Sequence, residues 1–194
     1  SIFKNLGGLA VVVLLPLLIG WWVAQTMIPQ PAIGLITLDT DIWSRSAELL
    51  MMQLDEVRQD PRIKAVVIRI DSPGGAVVPS QQLYLELQNL RREMPVVASI
   101  ESVAASGGYY IAAGADSIFA QPTTITGSIG VFNVFPDVTE LMDKHIGINF
   151  DTVNTTPYAN AFSPFQGVGD TERTLLTQRA QIVYDQFLER VSTG

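Results

Sequence analysis

From Leu6 to Ile28 the chain reads LGGLAVVVLLPLLIGWWVAQTMI, 23 residues without a single charge. A helix needs roughly 20 apolar residues to cross the hydrocarbon core of a bilayer, so this stretch is long enough. Pro16 would break a soluble helix but is tolerated in a spanning one, and Trp21 and Trp22 lie towards one end, where indole rings favour the interface. A cleaved signal peptide has a shorter apolar region and a small-residue cleavage site, whereas this run is long and has no clear site. A buried core helix would keep an amphipathic period, which is missing. The expectation is a retained transmembrane helix within residues 1–30 and one domain over residues 31–194. Lys4 precedes the run, and Asp39 and Asp41 are the first charges after it. The positive-inside tendency then puts the N-terminus in the cytoplasm and the domain on the extracytoplasmic side of the cell membrane. Pro29 and Pro31 make a short stiff spacer.

The rest of the composition excludes several classes. Of 194 residues, 12 are Lys or Arg and 19 are Asp or Glu, a net charge of −7. Such an acidic chain is a poor partner for nucleic acid, which is gripped by cationic surfaces. Cys is absent and His occurs once, at His145. There is accordingly no disulfide framework, no thiolate nucleophile and no Cys-based metal site. A zinc site or a Ser-His-Asp triad would hang on one residue, so neither metal nor cofactor is expected.

After the apolar run, short β-branched segments alternate with helical ones. Ile33–Leu38, Ala65–Ile70, Pro95–Ile100 and Ser117–Pro122 read as strands. Ala47–Gln59, Pro79–Glu93, Gly107–Gly114, Asp137–Lys144 and Asp170–Arg190 read as helices. That rhythm predicts an α/β fold with parallel strands.

In such folds ligands bind beyond the carboxyl ends of the strands. Two segments leave strands at that end. Asp71-Ser72-Pro73-Gly74-Gly75 places paired glycines after an apolar strand, letting the backbone approach a ligand closely. Glu101–Gly108 (ESVAASGG) runs from strand to helix and brings Ser106 to a helix N-terminus, where free N–H groups favour developing negative charge. Together they suggest an oxyanion hole facing a carbonyl attacked by Ser106. Taken singly, Ser106 reads equally as an N-cap and the Gly pair as a plain tight turn.

The combination DSPGG, VAASGGYYIAAGAD and ITGSIGVF closely resembles the signal peptide peptidase A family of membrane-bound serine proteases. The resemblance covers most of residues 33–194. It implies the Clp-protease/crotonase fold, a repeated β-β-α spiral, and Ser106 as nucleophile. It also implies an oxyanion hole from Gly74, Gly75 and Gly107. Its members degrade signal peptides left in the membrane, using a Ser-Lys dyad and a groove built between neighbouring subunits. The implied partners are signal peptides, the lipid bilayer, and either identical copies in a ring or a Lys-bearing related subunit. Ile129–Phe135 is a candidate lining of the groove, with core packing as the other reading.

The dyad is incomplete. In short family members the Lys lies in a segment like GKYKSAFSPF, and the matching stretch here is TPYANAFSPF, with Ala159 at the expected position. No Lys follows Lys144. Lys4 lies before the span, Lys64 lies at the wrong end of a strand, and Lys144 and His145 read as solvated surface residues. Several explanations stay open. The TTPYA pattern resembles the C-terminal half of double-length members, so a related subunit could supply the Lys. Ala159 could be an engineered change that traps an inactive state. The chain could be a pseudoenzyme that binds peptides uncut. Family members also continue beyond the equivalent of Gly194, so a base could lie further on. The functional expectation is a membrane-anchored serine endopeptidase degrading signal peptides and other membrane-released peptides, with a peptide-binding scaffold subunit as the alternative. A crotonase-like acyl-CoA enzyme fits an acidic anchored domain poorly.

Overall fold

The structure, a computed structural model, describes residues 2–27, 30–156 and 158–194; the side chains of 2–10 and 25–27 lie outside that description. Five strands, β1 (Ala32–Leu38), β2 (Ile63–Ser72), β3 (Val96–Ala105), β4 (Ser117–Phe119) and β5 (Ile125–Gly127), form one sheet. Its order is β1-β2-β3-β4, every pairing is parallel, and β5 also pairs with β3. The α/β architecture with parallel strands expected from the alternating pattern is therefore present. It is consistent with a Clp-protease-like fold.

Burial follows the two-residue period of the strands. On β2, Val66, Ile68, Ile70 and Ser72 are all 0% exposed, while Val67 is half-buried and Arg69 exposed. The buried face is covered by α2 (Ser44–Gln59) and α3 (Val77–Leu90), which contribute Leu50, Leu54, Leu83 and Leu87 at helical spacing to the core. On the opposite face of β1, Ile33 and Leu35 are 69% and 63% exposed. Only one face of β2 is fully covered.

Several boundaries differ from expectation. The segment 101–105, read as loop, is the second half of β3, so Ser106 follows a strand directly. β3 is long enough for its first half to pair with β4 at Val97–Ser99 and its second half with β5 at Val103–Ala105. The helix after Ser106, α4, is Gly107–Ala112. The expected helix at 137–144 is instead a π-helical turn over Leu141–Ile146, which ends at Gly147 with φ +74°. The last helix, α5, is Asp170–Thr193.

The helix α1 (Ile2–Met27) precedes the domain. The span expected at Leu6–Ile28 falls partly on positions outside those described. Among the described residues, no helix is long and apolar enough to cross a membrane. The large apolar side chains of α1 that are described, from Val11 to Trp22, are each between 51% and 70% exposed.

Candidate active site

The DSPGG segment is pinned from both sides. Asp71 accepts a hydrogen bond from Val103 N–H at 3.0 Å, tying β2 to β3 where both strands end. Ser72, fully buried, donates from Oγ to the Thr40 carbonyl at 2.7 Å and accepts from Gly74 N–H at 3.2 Å. Beyond the turn, Ile42 N–H donates to Gly74 O at 2.9 Å and Ala76 N–H to Ile42 O at 2.7 Å. A buried polar network with its partners satisfied is rigid, because every slipped arrangement leaves a donor or acceptor unpaired.

That frame abuts Ser106. Gly74 has φ +102°, and a Cβ placed there would lie 2.7 Å from the Ala105 carbonyl and from Gly107 N. Only glycine accommodates both the backbone sign and the approach. Gly74→Ala should therefore cost about 2–4 kcal/mol, from strain at positive φ plus displacement of the Ser106 turn. Urea denaturation measures it, and an unchanged midpoint would mean that this contact is loose.

Ser106 has φ +48° and ψ −120°, a conformation that a side-chain-bearing residue adopts at a cost of about 1–3 kcal/mol. Its N–H donates to Gly127 O at 2.9 Å and its carbonyl accepts from Tyr110 N–H at 2.9 Å, so β5 and α4 hold the turn between them. Although Ser106 occupies the N-cap position of α4, its side chain makes no capping bond. The strand–strained serine–helix arrangement is that of a nucleophile elbow, which presents the hydroxyl outward. The next residue but one after Gly127, Ile129, packs against the cluster behind α4, and Ser128 between them also has positive φ, +52°. The ITGSIGVF block marked this stretch as part of the resemblance, but gave neither Ser128 nor β5 a role in supporting the turn.

Of the three glycines suggested for an oxyanion hole, Gly74 has its N–H committed to Ser72. Among the described residues, neither Gly75 N–H nor Gly107 N–H finds an acceptor. Both glycines line the same cavity as Ser106. This cavity, of about 40 Å³, is bounded also by Val77, Ser80, Tyr110, Val183 and Phe187. A second, open cavity of about 300 Å³ shares Gly75, Val77, Ser106 and Val131 with the first and is lined also by Trp43 and Phe132. Val131 and Phe132 also line a further cleft of about 460 Å³ that continues along Asn133, Phe135 and α5. Part of the expected groove lining at 129–135 thus does border open space beside Ser106, with Phe132 83% exposed.

Among the described residues, no base meets Ser106. Among the described residues that line its two cavities, none is Lys, His, Asp or Glu. Lys144 is paired with Glu140 at 2.6 Å on the surface and His145 is exposed, as the sequence suggested; Lys64 is exposed as well. Ala159 lies in an exposed turn closed by its own N–H to Thr156 O at 3.2 Å, and it lines neither cavity. Its neighbours Tyr158 and Phe162 are 52% and 42% exposed, so position 159 is not buried among apolar side chains within one chain. No group of His, Cys, Asp and Glu able to hold a metal occurs among the described residues.

A parallel sheet whose carboxyl edge carries a strained serine turn beside two glycine N–H groups that find no acceptor among the described residues is consistent with a Clp-protease-like fold. Residues 32–126 match the Clp protease family, and residues 88–194 match peptidase family S49. The chain belongs to peptidase family S49. Among curated proteins it is 40% identical over 160 residues to Protease 4 of Haemophilus influenzae, which is 80% of this chain and 25% of that protein. It is 44% identical over 141 residues to Protease 4 of Salmonella typhi, 72% of this chain and 22% of that one. To the chloroplastic serine protease SPPA of Arabidopsis thaliana it is 40% identical over 147 residues, 75% of this chain and 22% of that one. The chain thus spans about a quarter or less of the length of these relatives.

Proposed function

We propose that this chain is the nucleophile-bearing part of a membrane-anchored serine endopeptidase that degrades signal peptides and other peptides released within the membrane. The observation that carries the reading is the backbone of Ser106, strained at φ +48° with no cap to form, beside two N–H groups without acceptors. Ser106 Oγ would attack the scissile carbonyl. The developing oxyanion would accept from Gly75 and Gly107 N–H, while Gly74 supports the turn from behind. Two such donors in a water-poor site stabilise the tetrahedral intermediate far more than they would in bulk water. The proton of Ser106 passes to a base and then to the leaving amine, and water releases the acyl group from Ser106.

In this reading the base comes from outside the chain's own cavities, from a second copy or a Lys-bearing related subunit. Two surfaces support an assembly. Parallel sheets are normally covered on both faces, yet Ile33 and Leu35 stand open. Phe132 and Val134, two positions apart on one segment, are 83% and 77% exposed, bare apolar side chains of the kind that protein contacts cover. The same reading makes the apolar α1 a lipid anchor with the domain on the extracytoplasmic side, and the β-β-α spiral the repeating unit of the fold.

The test is hydrolysis of a short apolar fluorogenic peptide by the assembly purified from its own membranes in detergent. Cleavage is expected, together with a multimeric mass. A second reading, a non-catalytic peptide-binding scaffold, is favoured by the lack of a basic side chain at Ser106. Binding of the peptide without cleavage would establish the scaffold and overturn the peptidase.

A further inference from the structure

Behind the Ser106 turn, three helices meet on one side chain. Tyr110 is 7% exposed and lies one helical turn after Ser106, whose carbonyl accepts its N–H. Its ring meets Tyr84 of α3 edge-on at 5.1 Å and Phe187 of α5 edge-on at 4.9 Å. The hydroxyl donates to Gln81 Oε1 of α3 and faces the Arg190 guanidinium of α5. Arg190 in turn lies over the Tyr84 ring, 5.5 Å from its centroid. Phe187 is the buried side chain of α5, so this cluster is where α5 grips the domain.

The helix that needs holding is α4. It has six residues and opens with two glycines, so by itself it would not persist in water. Yet its first N–H, that of Gly107, must point into the cavity beside Ser106 with sub-ångström accuracy if it is to bind an oxyanion.

We propose that Tyr110 is a positioning residue for the Ser106 turn, its hydroxyl locking α4 to Gln81 of α3 and its ring seated against Phe187 of α5 so that Gly107 N–H stays aimed at the cavity. The proposal rests on the peptidase reading for its effect on rate but not for its effect on the helix. Burial raises the pKa of the hydroxyl above its ordinary value of 10.0, chiefly by desolvation, so it remains a donor throughout the neutral range. A group whose folded pKa is raised gives stability that is full below the unfolded value and is lost as pH climbs through the folded one. The lock therefore holds at neutral pH and fails only in strong alkali.

The test compares Tyr110→Phe with Tyr109→Phe in the full-length assembly. The fluorophosphonate labelling rate is measured against probe concentration, alongside hydrogen exchange of the 107–112 amides. Loss of one buried hydrogen bond at a catalytic helix predicts that Tyr110→Phe lowers the saturating labelling rate about three- to tenfold. The half-saturating probe concentration should be unchanged, the 107–112 amides should exchange faster, and Tyr109→Phe should match the parent. Gln81→Leu should reproduce the Tyr110→Phe effect, and the double variant should lose no more than either alone. An unchanged saturating rate, or equal losses in the two tyrosine variants, overturns the proposal. If the parent itself fails to label, the peptidase reading falls separately and exchange decides: faster 107–112 exchange in Tyr110→Phe than in Tyr109→Phe upholds the lock, and equal exchange overturns it.

Discussion

Ser106→Ala is expected to lower peptide hydrolysis by the assembly at least about 10³-fold while leaving the fold intact, since catalysis without its nucleophile retains only binding and charge stabilisation. The Ser106 side chain makes no capping hydrogen bond to α4. Removing one oxygen there should shift stability by no more than about 0.5 kcal/mol. The strain at φ +48° belongs to the backbone and persists in the alanine variant, because Gly74, Gly127 and Tyr110 enforce it. Rates and thermal melting, measured on one preparation, separate the two effects. Retained hydrolysis with Ser106→Ala would assign the nucleophile elsewhere, whereas loss of folding would make the turn a structural element first.

The second large effect is a gain. Ala159→Lys should raise hydrolysis about 10²- to 10⁴-fold in the assembled protein, the usual contribution of a well-placed general base. In dilute single chains it should do nothing, because Ala159 lies in an exposed turn that borders neither cavity at Ser106. An exposed Lys also stays protonated near its ordinary pKa and cannot accept a proton at neutral pH. Only burial against another subunit would lower its pKa, and the rate should then rise with pH as the amine becomes neutral. Hydrolysis is compared above and below the concentration at which the assembly dissociates. An inert but assembled variant would remove position 159 from consideration, and full activity of the unmodified single chain would show that no lysine is missing.

Much of this site could be read from the sequence, and the reason is local. The buried strand at Ala65–Ile70 announces itself by β-branched residues, and the glycines of DSPGG and ASGG mark the two tight places that follow strands. What could not be read depends on contacts distant in the chain. Ser102, Val103 and Ala104 carry no strong strand signal, and they join β3 because Asp71 and β5 pair with them. β5 itself is three residues long and exists through that pairing. The commitment of Gly74 N–H to Ser72 Oγ depends on the rotamer of a buried serine, so three plausible donors reduce to two only in the folded chain. Tyr110 was visible as half of a Tyr pair, but its ring contact with Phe187 joins helices far apart in the chain. The exposed apolar residues around Phe132 and Val153 have another cause, because their partners are not in this chain's own core.

Fluorophosphonate labelling of the native detergent-solubilised assembly, followed by mass mapping of the modified peptide, tests the central claim most directly. A single covalent adduct on Ser106 is expected, abolished in Ser106→Ala and slowed by Gly74→Ala in whatever fraction remains folded. An intact, multimeric assembly that binds apolar peptide but carries no adduct on Ser106 would contradict it.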